Sequence, residues 1–292
     1  MSGLQVRFSH APGALLRFSF DDGAAAVNVA CPRLAGPDAP EAWFGEAADL
    51  AAICIDVREQ GDDIETAART AYRELLAKVR GSSHPYLIRI WNYLDAINEG
   101  EGDSERYRRF CLGRAAAVDA AFNDPPPAAT GIGHAHRTGH VQLIALCAAA
   151  PAIALENPRQ MPAWCYPRDY GPVSPGFSRG ALLGDGSRLL ASGTASIVGH
   201  RSLHTGDVRA QTREALANLE ALLDEATTRG GPRFALTAPD ALRVYLREPA
   251  DLDAVREVMA EVGMPAERTV YLHGDICRRE LLVELEGVFA PA

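Results

Sequence analysis

The sequence predicts an α+β fold made of two similar halves. Stretches with helical apolar spacing alternate with short strand-like runs. The order helix–strand–helix–strand occurs before a proline-rich segment and recurs after it with an extra terminal strand. The composition is that of an ordinary globular protein: 292 residues, 47% hydrophobic and 23% charged, enough for one large domain or two small ones.

The elements follow in order. Residues 14–20 and 24–31 flank Asp21-Asp22-Gly23, a turn signal, and predict a β-hairpin. Residues 51–57 read as a third strand. Asp62 and Glu65 have capping-box spacing, and Ile64, Ala68, Ala71, Tyr72, Leu75 and Val79 recur at helical intervals, so a helix is expected over 63–80, ended by Gly81-Ser82-Ser83. A strand over 86–93 and a helix over 104–121 complete a first half, residues 1–122. Residues 123–140 hold Pro125-Pro126-Pro127 and several glycines and are expected as a linker or functional loop. The second half, 141–292, has strands at 142–148, 189–198, 242–246, 269–273 and 281–288 and helices at 207–228 and 251–262. Residues 157–180, rich in Pro, Gly, Arg and Tyr, read as an ordered loop over a site.

Several function classes are excluded on charge and pattern. Lys and Arg number 29 against 38 Asp and Glu, a net charge of −9, which argues against a sequence-independent nucleic-acid binder. No apolar run is long enough to cross a membrane. The first 20 residues lack a secretory pattern, and the six cysteines include no CxxC pair, so a cytoplasmic protein with reduced thiols is expected. No cofactor motif is present. His134, His136 and His140 could share a metal, but no Asp, Glu or Cys stands between them at ligand spacing, so loop hydrogen bonding and no metal is the expectation. Nor is there a GxSxG nucleophile motif. Ser192-Gly193-Thr194-Ala195-Ser196 reads equally as a small-residue strand end and as a pocket wall.

The closing segment is more informative. On a strand, Leu281, Val283 and Leu285 share one face, and Leu282, Glu284 and Glu286 share the other. Two carboxylates on one face describe either a solvated surface or a pocket in which burial makes Glu284 a general acid. Arg279 nearby could bind an anion, or oppose that shift if too close. Arg89, Arg106, Arg114, Arg159, Arg168 and Arg179, with Tyr166 and Tyr170, recur in the preceding segments. Each alone is best read as a surface ion pair, whereas a convergent set would suit a small dianion.

These residues also carry a resemblance. Ser192-Gly193-Thr194, Gly206-Asp207, Gln211, Asn218-Leu219 and Val283 to Gly287 make the second half similar to the RidA (YjgF-like) family. The whole chain resembles the chorismatase family. The matching segments are Arg89 to Tyr93 with Ile97-Asn98-Glu99; Glu105-Arg106-Tyr107 with Phe110 to Arg114; Glu156 to Gln160; Tyr166-Pro167-Arg168 with Tyr170-Gly171-Pro172; Ser192 to His200; and Cys277 to Gly287. The resemblance implies two RidA/YjgF-like (chorismate-mutase-like) halves, with mixed sheets and helices packed on one face. The pocket would lie between the halves under residues 157–180, in a monomer or a homotrimer. It further implies cofactor-free removal of pyruvate from chorismate, begun by protonation of the enolpyruvyl ether. Glu284 falls at the family's catalytic glutamate. Arg279, Arg168 and Arg114 would hold the carboxylates, with Arg89 and Tyr166 as further candidates and Gly193 in the substrate-binding wall. Cys277, seven residues before Glu284, matches the members that form hydroxybenzoate. The expected products are therefore pyruvate and 3-hydroxybenzoate, with 4-hydroxybenzoate as a possible companion. Three other readings compete: a chorismate hydrolase giving a dihydroxycyclohexadiene acid, a RidA-type enamine/imine hydrolase, and a non-catalytic metabolite binder.

Overall fold

The structure is a computed structural model that describes residues 49–292 except 62, 135 and 136, together with the backbone of four strands before residue 49. Three of those strands, β1 (Leu4–Phe8), β2 (Leu16–Phe20) and β3 (Val27–Val29), form a small antiparallel sheet. The expected hairpin is the β2–β3 pair; its turn, Asp21-Asp22-Gly23, lies outside the described residues.

The first half continues through β4 (Trp43–Ala47), β5 (Leu50–Arg58), α1 (Ile64–Arg80), β6 (Tyr86–Asp95), α2 (Arg106–Ala115), β7 (Ala128–His134) and β8 (His140–Ala148). The second half holds β9 (Ile153–Leu155), β10 (Gly180–Leu182), β11 (Leu189–Ala195), the two-stranded β12 (Ile197–Val198) and β13 (Arg201–Ser202), α3 (Val208–Thr228), β14 (Phe234–Leu246), α4 (Leu252–Glu261), β15 (Thr269–Ile276) and β16 (Val283–Pro291).

Strand order shows the duplication directly. One 11-stranded sheet runs β4-β5-β8-β6-β7-β15-β14-β16-β11-β10-β9. Read outward from the β7–β15 seam, each half gives a parallel pair (β7–β6, β15–β14), then an antiparallel neighbour (β8, β16), then a second one (β5, β11). Helices α1 and α2 match α3 and α4 in chain order.

One expected boundary is corrected. Residues 123–140 are not a linker, because they contain β7. Strand β8, expected to open the second half, pairs with β5 and β6 of the first. Small residues hid β7: at the seam, a Cβ on Gly133 would stand 2.7 Å from the side chains of both Asp275 and Ile97. Close approach demands glycine there, and glycine erases the apolar alternation by which a strand is recognised. The helix expected over 104–121 is also shorter, since Asp119 turns the chain by accepting from the Phe122 amide at 3.2 Å.

The helices form where caps and stripes coincide. Asp63 accepts from the Thr66 amide at 3.1 Å, and Lys78 and Arg80 sit in the last turn of α1. Asp207 caps α3 through the Ala210 amide at 3.0 Å. The buried stripe of α1 (Ala68, Tyr72, Leu75) packs on Ile53, Ile55 and Ile90, and that of α3 (Leu216, Leu219, Leu223) on Leu242, Val244 and Leu285. The opposite sheet face has its own core around Trp91, Tyr93, Ile144 and Tyr245. Burial on both faces explains the near-continuous apolar run of β5.

His136 lies outside the described residues. His140 bonds Asp56, and the His134 ring lies 5.9 Å from that of Tyr93. Among the described residues no cluster of three His, Cys, Asp or Glu could hold a metal, and no helix is long and apolar enough to cross a membrane.

Candidate active site

A cavity of about 330 Å³ opens between the halves, with Glu284 on its wall. The first half contributes Asn92, Tyr107, Arg114 and Thr130; the second contributes Gly193, Cys277, Arg278 and Glu284. Tyr166, Tyr170, Phe177 and Arg179 of the 157–180 loop close it from above, as expected of that segment.

Strand β16 sets the chemistry. Both carboxylates of its polar face are buried, Glu284 at 4% exposure and Glu286 at 1%, so the solvated-surface alternative is excluded. Glu284 lies opposite Ala195 and Tyr245 in register. Burial, reinforced by the negative charge of Glu286, pushes its carboxyl up to about 8, against the opposing pull of Arg89 and Arg179. At neutral pH Glu284 is therefore a carboxylic acid with a proton to give.

The neighbouring strand leaves room for it. The β11–β16 register shifts between Ala191 and Thr194, so Ser192 and Gly193 form an irregularity beside the acid. Ser192 Oγ accepts from the Ala129 amide at 2.9 Å and donates to the Ser178 carbonyl at 2.6 Å. The Gly193 amide donates to Thr130 Oγ1 at 2.8 Å. Any Cβ on Gly193 would collide with Oε1 of Glu284. The small-residue segment is thus both a strand end and a pocket wall.

Three arginines line the cavity without a carboxylate partner among the described residues: Arg114, Arg179 and Arg278. Arg179 donates to the Tyr166 hydroxyl at 2.7 Å and the Met161 carbonyl at 2.9 Å. Arg278 lies over the Tyr170 ring at 4.1 Å and the Tyr166 ring at 5.1 Å, held by the His200 carbonyl at 2.9 Å and Ser202 Oγ at 3.0 Å. Arg114 is buried and bonds Tyr72, whose hydroxyl donates to Asn92 Oδ1 at 2.6 Å. Buried guanidinium groups without counter-ions favour an anionic ligand.

The other expected residues divide. Cys277 faces the cavity, and burial, followed by the charge of Glu284, pushes its thiol up to about 12. It stays protonated at neutral pH. Arg279 is on the rim, half exposed, donating to Glu101 at 2.9 Å and to the Asn98 carbonyl. Two placements are corrected. Arg168 is outside the cavity lining, 63% exposed, with its guanidinium donating to Asp103 at 2.9 and 2.5 Å. Arg89 is buried outside the cavity lining, paired with Glu286 at 2.6 Å and stacked 4.6 Å from Trp91. Sequence reading gave no site role to Tyr107, and Arg278 entered it only with Arg279, as a short basic run able to bind one small anion. The Arg278-Arg279 pair ahead of β16 was the available signal, but nothing local says which arginine turns inward.

Fold and site together define a duplicated α+β protein whose shared cavity combines a neutral buried acid with arginines that have no carboxylate partner among the described residues. The chain belongs to the chorismatase family. Residues 37–147 match the family described as chorismatase FkbO/Hyg5-like, N-terminal, a match that ends within β8. A 3-hydroxybenzoate synthase of Streptomyces hygroscopicus is 38% identical over 235 residues, covering 76% of this chain and 68% of the relative. A chorismatase of the same organism is 39% identical over 269 residues, covering 89% and 77%. A crystal structure of a chorismatase superposes with a TM-score of 0.79 at 36% identity, over 87% of this chain and 78% of that one. A RidA structure from a Psychrobacter species covers 40% of this chain and 89% of its own, at 17% identity and a TM-score of 0.31.

Proposed function

We propose that this chorismatase-family enzyme cleaves chorismate to pyruvate and 3-hydroxybenzoate. The observation that carries the reading is the position of Glu284: a buried acid, protonated at neutral pH, in a cavity where Arg114, Arg179 and Arg278 have no carboxylate partner among the described residues. Chorismate brings two carboxylates and an acid-labile enol ether.

Arg114, Arg179 and Arg278 bind the carboxylates, with Arg279 at the mouth. Glu284 donates its proton to the methylene carbon of the enolpyruvyl group, and the ether becomes an oxocarbenium ion. Bound anion and Glu286 both favour the neutral acid beforehand; afterwards the cation formed beside it favours the carboxylate. The ring hydroxyl oxygen then attacks the adjacent ring carbon as that carbon's bond to the ether oxygen breaks, with the electrons going to the leaving pyruvate and the hydroxyl proton returning to Glu284. The epoxide so formed opens at the oxygen's original C–O bond, and transfer of the ring proton to the oxygen gives aromatic 3-hydroxybenzoate. Pyruvate and hydroxybenzoate together hold every atom of chorismate, so this route consumes no water. The hydrolytic route consumes one.

Cys277 supports the hydroxybenzoate outcome, through the family association of a cysteine at this spacing and its place on the cavity wall. The test is incubation with chorismate, with pyruvate assayed and the ring product identified by chromatography. Pyruvate with 3-hydroxybenzoate is expected, together with a shifted product ratio and a little-changed KM in Cys277→Val. A diene diol from the unmodified protein would overturn the product assignment. No pyruvate would overturn the function.

A further inference from the structure

Beneath the cavity lies a second carboxylate that touches no reacting atom in the steps above. Glu286 Oε2 accepts from Arg89 at 2.6 Å, Trp91 Nε1 at 2.9 Å and Thr130 Oγ1 at 2.5 Å; Oε1 accepts from Tyr245 at 2.9 Å and lies 3.5 Å from Arg243. The donors come from β6, β7 and β14, so both halves converge on one carboxylate. Arg243 in turn donates to the Tyr93 hydroxyl at 2.6 Å and the Tyr245 hydroxyl at 2.9 Å. Side chains two apart on a strand share a face at roughly 7 Å, which sets Glu286 directly behind Glu284.

Thr130 links this node to the acid. Its one hydroxyl proton goes to Glu286, leaving lone pairs for the Gly193 amide and for Arg89, and Gly193 is the residue against which Glu284 packs. Resting on the reading of Glu284 as proton donor, we propose that Glu286 is a positioning residue for the reaction: a fixed anion, shared by both halves, that sets where Glu284 sits and which protonation form it holds. Arg89 and Glu286 carry opposite charges beneath the acid. Removing either sign pushes Glu284 in a known direction.

The groups that face Glu284 bound the effect. Arg179 approaches from the roof, Cys277 from the segment before β16, Tyr107 from α2, and Arg89 and Glu286 from below. Without the Glu286 charge, the pull of Arg89 is unopposed and favours ionised Glu284. Without Arg89, Glu286 acts more fully and favours the acid.

Three variants give opposed expectations for the pH dependence of pyruvate release. In E286Q the alkaline limb moves down by about one pH unit, and in R89Q it moves up by a similar amount. In the E286Q/R89Q double variant, which restores the net charge, the limb returns close to its original position. Limbs that coincide with that of the unmodified enzyme, or that move the same way in both single variants, overturn the proposal; a merely structural role lowers activity equally at every pH. Should E286Q fail to fold by circular dichroism, R89Q decides alone, since its limb must rise. E284Q separates the two levels. If it keeps full turnover, the reading of Glu284 fails. If it is inactive while the other limbs stay put, only the role of Glu286 fails.

Discussion

At the scale of single residues, the arginines show how far sequence reading reaches. Arg114 and Arg279 were singled out and both face the cavity, but Arg168 and Arg89 carried the same family resemblance and do not. The difference is one of partners. Arg168 meets Asp103, 65 residues away, and Arg89 meets Glu286, 197 residues away. No local pattern encodes contacts at such separations. A cavity arginine without a carboxylate partner among the described residues and a solvated one in an ion pair differ in energetic weight. Truncating a buried charged hydrogen-bond donor costs about 1.5–3 kcal/mol, while an exposed pair contributes about 0–1 kcal/mol. Arg278→Met should therefore raise KM for chorismate roughly 10- to 100-fold, and Arg168→Met should change it by less than about fivefold. Steady-state kinetics of the two variants side by side checks this. Equal effects would mean that Arg168 swings inward when substrate binds.

At the scale of elements, helix α1 was legible because cap, apolar stripe and terminator agree within one stretch of chain, and α3 because its cap and stripe do. Strand β7 was not, since its identity comes from what it passes between. The same close packing makes α2 sensitive. Gly113 of α2 lies against α1, where a Cβ would collide with the Glu65 carbonyl and stand 3.0 Å from Ala68 Cβ. Helix α2 carries Tyr107 and Arg114 into the cavity, so separating α2 from α1 displaces site residues as well as core. Gly113→Ala is expected to destabilise the protein by about 1–3 kcal/mol, an overpacking cost, and to lower kcat/KM together with stability. Denaturant unfolding and kinetics on the same preparation test the link. A stable variant with lost activity, or an active variant with lost stability, would break it.

At the scale of the whole molecule, the duplication read from the sequence is the organising fact, and it positions the site: the cavity and the Glu286 node both draw on the two halves. A buried acid at such a junction also has a consequence for stability. Glu284 is raised from an ordinary 4.5 to about 8 by burial and then by Glu286, and Glu156 is raised to about 7 by burial, against the pull of Arg179. Both bind protons more tightly folded than unfolded. Their contribution is complete below about 4.5 and is lost as pH rises through about 7 and about 8, so the melting temperature should fall between pH 5 and 8. E284Q should flatten that decline, and parallel curves for the two proteins would contradict the burial of an ionisable Glu284.

The central claim, proton donation by Glu284 to chorismate, is tested most directly by pyruvate release from chorismate as a function of pH, in the unmodified enzyme and in E284Q. Calorimetric titration with chorismate would first establish that both proteins bind it. Release is expected to be constant in mildly acid solution and to decline as pH rises through about 8, and to be reduced by orders of magnitude in E284Q at every pH while binding persists. Turnover in E284Q close to that of the unmodified enzyme, with chorismate bound, would contradict it.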